Sequence, residues 1–197
     1  MIELVIATHN KHKIGEIKPL LPENFQLLSL DDVKIFDDIP ETANTLEGNA
    51  WQKASYVFLR TSKNCFADDT GLEVDALEGR PGVYSARYAG EGCSYADNNR
   101  KLLSELKVVT NRKARFRTII CLFYEGKDHY FEGKVEGSII TELRGTEGFG
   151  YDPVFIPDGH SLTYAEMGFE EKNTLSHRAE AVRKLREFLV GYPQNLI

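Results

Sequence analysis

This sequence predicts an α/β fold, a mixed central sheet with flanking helices, and two patterns predict it. The first half alternates short apolar runs with amphipathic segments of period 3.6, the strand and helix order of a parallel sheet. The second half carries a long run of period 2 over residues 114–124, a Glu125-Gly126-Lys127 turn and a returning segment, which together read as an antiparallel hairpin. With 197 residues and 42% apolar content, the chain can bury one sizeable core and has the composition of a globular protein. A single domain over residues 1–197 is expected.

Residues 2–7 form an apolar run interrupted only by Glu3, as in a central strand. A polar turn, THNKHK, follows, and then Ile14, Ile17 and Leu21 recur at helical spacing until Pro22. Strand, turn and helix in this order aim backbone N–H groups at an anion. Thr8, Asn10 and Lys13 lie there with a hydroxyl, an amide and an ammonium for phosphate oxygens; equally, Asn10 caps the helix and Lys13 is solvated. Only Gly15 lies nearby, so this is not a P-loop.

Residues 31–41 are an acidic loop ending in Pro40-Glu41. Asn44 and Glu47 then resemble a capping box, and Leu46, Ala50, Ala54 and Val57 line one face of a helix reaching about residue 63. Asn49 and Lys53, four apart, share the stripe beside that face. Lys53 there either snorkels to water or reaches a phosphate.

Cys65, Phe66 and Ala67 read as a short buried strand ending in Asp68 and Asp69, with a turn expected at Thr70-Gly71. Two acids cannot both sit unpaired in a core, because desolvating one carboxylate costs several kcal/mol. Either one caps a turn while the other is solvated, or the pair holds Mg²⁺ together with water and phosphate oxygens.

Ser94 and Asp97 mimic a second capping box, opening a helix with Leu102, Leu103 and Leu106 inward. In the strand over 114–124, Phe116, Thr118, Ile120, Leu122 and Tyr124 share one face. Residues 129–135 return as its partner, and 138–143 are expected to form a further strand. In the stretch 145–159, Gly148 and Gly150 bracket Phe149. Such a turn lets backbone approach a ligand while Phe149 offers a flat face to a base; the alternative places Phe149 and Tyr151 in the core. The last helix covers 174–190 with Ala179, Val182, Leu185 and Leu189 inward. Lys172, Ser176, His177 and Arg178 gather at its start. The helix dipole disfavours cations there, so an anionic or electron-rich partner is expected.

A net charge of −6 and a pI near 5.4 argue against a broad basic surface for nucleic acid. A small anionic ligand is still allowed, since a few convergent cations suffice for one triphosphate. Cys65, Cys93 and Cys121 match no zinc or C-x-x-C spacing and read as reduced structural thiols. The N-terminal apolar run is too short for a secretory signal, and no window approaches a membrane span, so a cytoplasmic protein is expected.

Five blocks now stand in one order: ATHNKHK at 7–13, ETANTLEGNAWQKA at 41–54, FADDTGLEVDALEGRPGVYSARYAG at 66–90, GFGYDPVFIP at 148–157 and EEKNTLSHRAEA at 170–181. They span nearly the whole chain, and the sequence resembles the Ham1-like inosine triphosphate pyrophosphatase family. Members of that family hydrolyse ITP, dITP and XTP to the monophosphate and pyrophosphate, clearing deaminated purines from the nucleotide pool. Leu46 departs from a common aromatic, and Thr70 from a common serine while keeping the hydroxyl.

The resemblance implies an elongated fold with a bent mixed sheet, two lobes around a substrate cleft, and a homodimer without a stable nucleic-acid or membrane partner. It implies that Thr8, Asn10, Lys13 and Lys53 bind the triphosphate, with Thr70 among the substrate contacts. It implies that Glu41 and Asp69 hold Mg²⁺ with Asp68 beside them, and that Asp69 is the general base. Phe149, Gly150, Tyr151 and Asp152 would form the base pocket, completed by Lys172, His177 and Arg178. Two other readings compete: the same reaction with another base preference, and a regulatory module that binds nucleotide without chemistry. Acids beside a triphosphate weigh against the module, because they repel it unless a metal bridges them.

Overall fold

The computed structural model describes residues 1–192. Its six strands lie in the order β2-β1-β3-β4-β5-β6. They are β1 (Ile2–Ile6), β2 (Phe25–Leu28), β3 (Cys65–Val74), β4 (Lys113–Tyr124), β5 (Lys127–Ile139) and β6 (Phe155–Pro157). β1 pairs in parallel with β2 and β3, whereas β5 and β6 are antiparallel, so the sheet is mixed as expected. The helices are α1 (Lys11–Ile17), α2 (Leu46–Thr61), α3 (Tyr95–Glu105), α4 (Phe169–Leu175) and α5 (His177–Gly191). No helix among the described residues is long and apolar enough to cross a membrane.

The chain divides into two compact units. Unit 1 contains Met1–Asp69, Ile119–Gly133 and the residues from Arg178 onward; unit 2 contains Thr70–Thr118 and Lys134–His177. Each has its own apolar core. In unit 1, Leu4, Ile6, Phe66, Ile120 and Leu122 pack with Val182, Leu185 and Leu189 of α5. In unit 2, Leu72, Val74, Phe116, Phe155 and Tyr164 pack with Leu102 and Leu106. The expected inward face of β4 is buried, with Phe116, Thr118, Ile120, Leu122 and Tyr124 all enclosed, but Ile119 and Cys121 on the opposite face are buried too, so the alternation holds only from Lys113 to Thr118. The capping box of Ser94 and Asp97 is present with both reciprocal bonds.

Five local expectations change. The cap of α2 is Thr45, whose hydroxyl accepts the Gly48 N–H, in place of Asn44. The first helix stops at Ile17 and tightens into a 3₁₀ turn over Lys18–Leu20, because Pro19 cannot donate to a continuing helix. β3 does not turn at Thr70-Gly71 but runs on to Val74. Gly71 serves a close approach instead, since a Cβ there would lie 2.7 Å from the Gly82 carbonyl oxygen. β5 is one continuous strand to Ile139, in place of two. The final helix is two helices, broken at an extended Ser176 whose N–H still bonds the Lys172 carbonyl.

Candidate active site

β1 delivers the chain to Thr8, whose hydroxyl accepts the Asn10 N–H at 3.1 Å. Asn10 caps α1, its Oδ1 accepting the His12 and Lys13 N–H groups at 3.0 and 3.4 Å. That cap fixes the first turn and aims Lys13 at the end of the apolar part of β3. There Lys13 Nζ lies 3.1 Å from Asp68 Oδ2. Arg178, in the first turn of α5, places Nε 3.2 Å from the same oxygen and pairs its Nη1 with Glu16. Asp68 is 1% exposed and Arg178 3% exposed. Burial alone would raise the Asp68 pKa, but Lys13, Arg178 and Lys53 outweigh it and hold the carboxyl below the ordinary range. Burial lowers the Lys13 pKa, and Asp68 only partly offsets this.

A second cluster forms around Lys53, which α2 buries to 4% exposure on the stripe that also carries Asn49. Its Nζ lies 3.0 Å from Asp69 Oδ1 and 3.1 Å from Glu41 Oε1. The lysine therefore bridges two carboxylates and does not snorkel to water. Burial would depress its pKa, yet Asp69, Glu41 and Asp68 raise it. Asn49 Nδ2 donates to the other oxygen of Asp69 at 3.2 Å and Asn49 Oδ1 accepts the Ala43 N–H, tying α2 to the loop of Glu41. Burial raises the Asp69 pKa, and the nearby lysines do not cancel it.

The Asp69 and Glu41 carboxylates thus already share one cation, the Lys53 ammonium, and a hydrated divalent ion asks for the same convergence. Among the described residues, no group of three or more His, Cys, Asp or Glu could hold a metal. Two carboxylates suit Mg²⁺, which keeps several waters and takes substrate phosphates, better than an ion that needs a closed protein cage. Asp68 stands one residue away with Oδ2 directed to Lys13 and Arg178.

Unit 2 gathers the remaining expected residues. Gly148 and Gly150 both have positive φ, 75° and 67°. The Phe149 N–H donates to Asp152 Oδ2 at 2.8 Å, and Lys172 Nζ reaches the same oxygen at 2.7 Å. Lys172 also lies 5.2 Å from the centroid of the Phe149 ring. Tyr151 is buried in the unit 2 core, its hydroxyl donating to the Ser85 carbonyl at 2.9 Å. The Gly150 carbonyl accepts from Asn99 Nδ2 of α3 at 2.8 Å. His177, the first residue of α5, stacks on Phe116 and bonds through Nδ1 to Thr118. Thr70 Oγ1 meets Thr118 Oγ1 at 2.7 Å.

Three participants have roles that the sequence does not show. Glu16 is an acid on an otherwise basic helix, a signal that became legible only once Arg178 faced it. Thr118 was visible as a polar residue on the inward face of β4. Asn49 was visible on the Lys53 stripe, though not as a partner of Asp69.

A model of the Ham1 family matches residues 4–188. The chain is 55% identical over 191 residues to the dITP/XTP pyrophosphatase of Porphyromonas gingivalis, covering 96% of this chain and 98% of that one. It is 46% identical over 192 residues to the dITP/XTP pyrophosphatase of Thermoanaerobacter pseudethanolicus, covering 96% and 97%. Among solved structures, a HAM1 protein from Coxiella burnetii aligns with a TM-score of 0.90 at 36% identity, over 96% of this chain and 99% of that one. The Staphylococcus aureus Ham1 protein aligns with a TM-score of 0.88 at 39% identity, over 96% and 98%. A family match over nearly the whole length, joined to these identities, establishes that the chain belongs to the Ham1 family.

Proposed function

We propose that this chain is a metal-dependent nucleoside triphosphate pyrophosphatase that hydrolyses ITP, dITP and XTP to the monophosphate and pyrophosphate. The observation that carries the proposal is the pair of charge clusters in unit 1, where the buried Lys53 and Arg178 and the partly buried Lys13 meet the buried Asp68 and Asp69 and the partly exposed Glu41. The names of the relatives, dITP/XTP pyrophosphatase, support the substrate class.

In this reading, Lys13 and Lys53 take the triphosphate oxygens together with Thr8 and Asn10, and Thr70 is a further substrate contact. Glu41 and Asp69 would hold Mg²⁺, with Asp68 adjacent; the ion, when bound, offsets charge on the phosphate oxygens. Asp69 takes a proton from the water that attacks the α-phosphorus, and pyrophosphate leaves. Its raised pKa suits a base, since a more basic carboxylate accepts a proton more readily. Lys53 and Asn49, one on each oxygen, orient it. Asp68 keeps Lys13 and Arg178 in place before substrate arrives.

Phe149, Gly150, Tyr151, Asp152 and Lys172 form the base-binding part in the same reading, with His177 and Arg178 supplying donors to the 6-oxo group. Adenine carries an amino group at that position, so donor would meet donor. The reading extends to a cytoplasmic homodimer that holds no membrane or stable nucleic-acid partner. Its acidic charge and free cysteines agree with that setting.

The test is pyrophosphate release from ITP, XTP, GTP, ATP and CTP, each with Mg²⁺ and with EDTA. Release that needs the metal and is fastest with ITP and XTP supports the proposal. Thermal stabilisation by ITP without release from any nucleotide would favour the binding module instead.

A further inference from the structure

Inside unit 2, three side chains far apart in the sequence form a hydrogen-bonded row. Thr70 Oγ1 lies 2.7 Å from Thr118 Oγ1, and Thr118 Oγ1 lies 2.6 Å from His177 Nδ1. Thr118 is fully buried. Phe116, two residues earlier on the same face of β4, stacks on the imidazole with centroids 4.7 Å apart and planes inclined by 17°. The ring of His177 is therefore held on one face by an aromatic ring and at one nitrogen by a hydroxyl.

A neutral imidazole carries a single N–H, and the hydrogen bond made by one nitrogen decides which of the two holds the proton. The Thr118 hydroxyl has one proton to donate and two neighbours within reach, and two arrangements spend that proton along the row. If Thr70 donates to Thr118 and Thr118 donates to Nδ1, the ring proton stays on Nε2. If Nδ1–H donates to Thr118 and Thr118 to Thr70, Nε2 is left as an acceptor. The first direction agrees with the intrinsic preference of a histidine side chain for the Nε2–H form. It also presents a donor, which a 6-oxo purine requires and a 6-amino purine cannot accept.

We propose that Thr118, backed by Thr70, is a positioning residue that holds His177 as the Nε2–H tautomer and so makes it the donor that selects 6-oxo purines. The proposal rests on the reading above that His177 meets the base. Neither threonine needs to touch the reacting atoms for this role.

The experiment uses the full chain, uniformly ¹⁵N-labelled, in a long-range ¹H–¹⁵N spectrum of the five histidine rings, with His177 identified through His177→Asn. An unprotonated Nδ1 and a protonated Nε2 are expected. Thr118→Val keeps nearly the same shape and removes the donor. It should free the ring to exchange between tautomers and lower the ITP-over-ATP ratio of kcat/KM by about 10-fold, the scale of one mispaired buried donor. Thr118→Ser should retain both properties. A wild-type ring protonated at Nδ1, or at both nitrogens, overturns the proposal whether or not Thr118→Val folds. So does a folded Thr118→Val enzyme with the wild-type tautomer and preference. Failure of the underlying reading looks different: the predicted tautomer is present, but His177→Ala keeps the ITP preference.

Discussion

Asp68→Asn removes one negative charge from between two buried cations while keeping the side chain's shape. Its carboxylate lies 3.1 Å from Lys13 and 3.2 Å from Arg178. After the change, Glu16 is the carboxylate still paired with Arg178, and Lys13 loses its ion pair. Removing one partner of a buried pair costs about 3–5 kcal/mol, because a charge stays in a low-dielectric setting uncompensated. Lys13 keeps 15% side-chain exposure, so water takes up part of its charge and the lower end, about 3 kcal/mol, is expected. For a chain of this size that is a fall in Tm of about 6–12 °C. The assay is urea unfolding at 25 °C with EDTA present and nucleotide absent, comparing midpoints at an unchanged slope. Glu3→Gln is the control: it breaks an exposed pair with Lys63 and should cost less than about 1 kcal/mol. The pH dependence has a definite sign. A carboxyl whose folded pKa is depressed stabilises fully above its unfolded pKa and loses that contribution as pH falls through the folded value. The gap between wild type and Asp68→Asn should therefore be flat near neutrality and narrow below about pH 4. A loss under about 1 kcal/mol at pH 7 would refute the claim that Asp68 neutralises these cations.

Three further outcomes follow from the same geometry. Asp69→Asn should fold normally and lower turnover of ITP by ~10²-fold or more, the scale of a lost general base, and near-normal turnover would take Asp69 out of that role. Burial pushes the Cys65 and Cys121 thiols up to about 12, so little thiolate is available at pH 8. A thiol reagent should then modify Cys93 promptly and the other two only in denaturant; prompt reaction of all three would contradict the packing. Gly148→Ala would place a Cβ 2.1 Å from Asp152 Oδ2, whereas Gly150→Ala meets nothing within 4 Å. Both incur about 1–2 kcal/mol of backbone strain at positive φ, but only the first should raise the KM for ITP, by displacing Asp152 from Lys172. Equal KM values for the two variants would argue against that carboxylate's place in the base site.

Much of the fold was legible because it is written in local periods. β4 alternates from Lys113 to Thr118, α3 carries its capping box, and α2 repeats an apolar face through Leu46, Ala50, Ala54 and Val57. β2 and β6 are not legible in this way: at four and three residues they are too short for a period to show. They become strands through pairing, β2 along β1 and β6 along β5 at the two edges of the sheet. The break at Ser176 was hidden by helical residues on both sides of it.

The sequence by itself determined the α/β class, the mixed character of the sheet, and the residue types at the site, because spacing and side-chain chemistry are local properties. Only the tertiary structure decided what each charged group does. A lysine at the margin of a helix ordinarily reaches water; Lys53 is buried because the loop of Glu41 and the strand of Asp69 bring two carboxylates to its ammonium. The paired acids looked equivalent, yet adjacent residues on a strand point to opposite faces. Asp68 accordingly meets Lys13 and Arg178, while Asp69 meets Lys53 and Asn49. Partner identity depends on pairings dozens of residues apart, and burial then sets the energy of each charge, which no local pattern encodes.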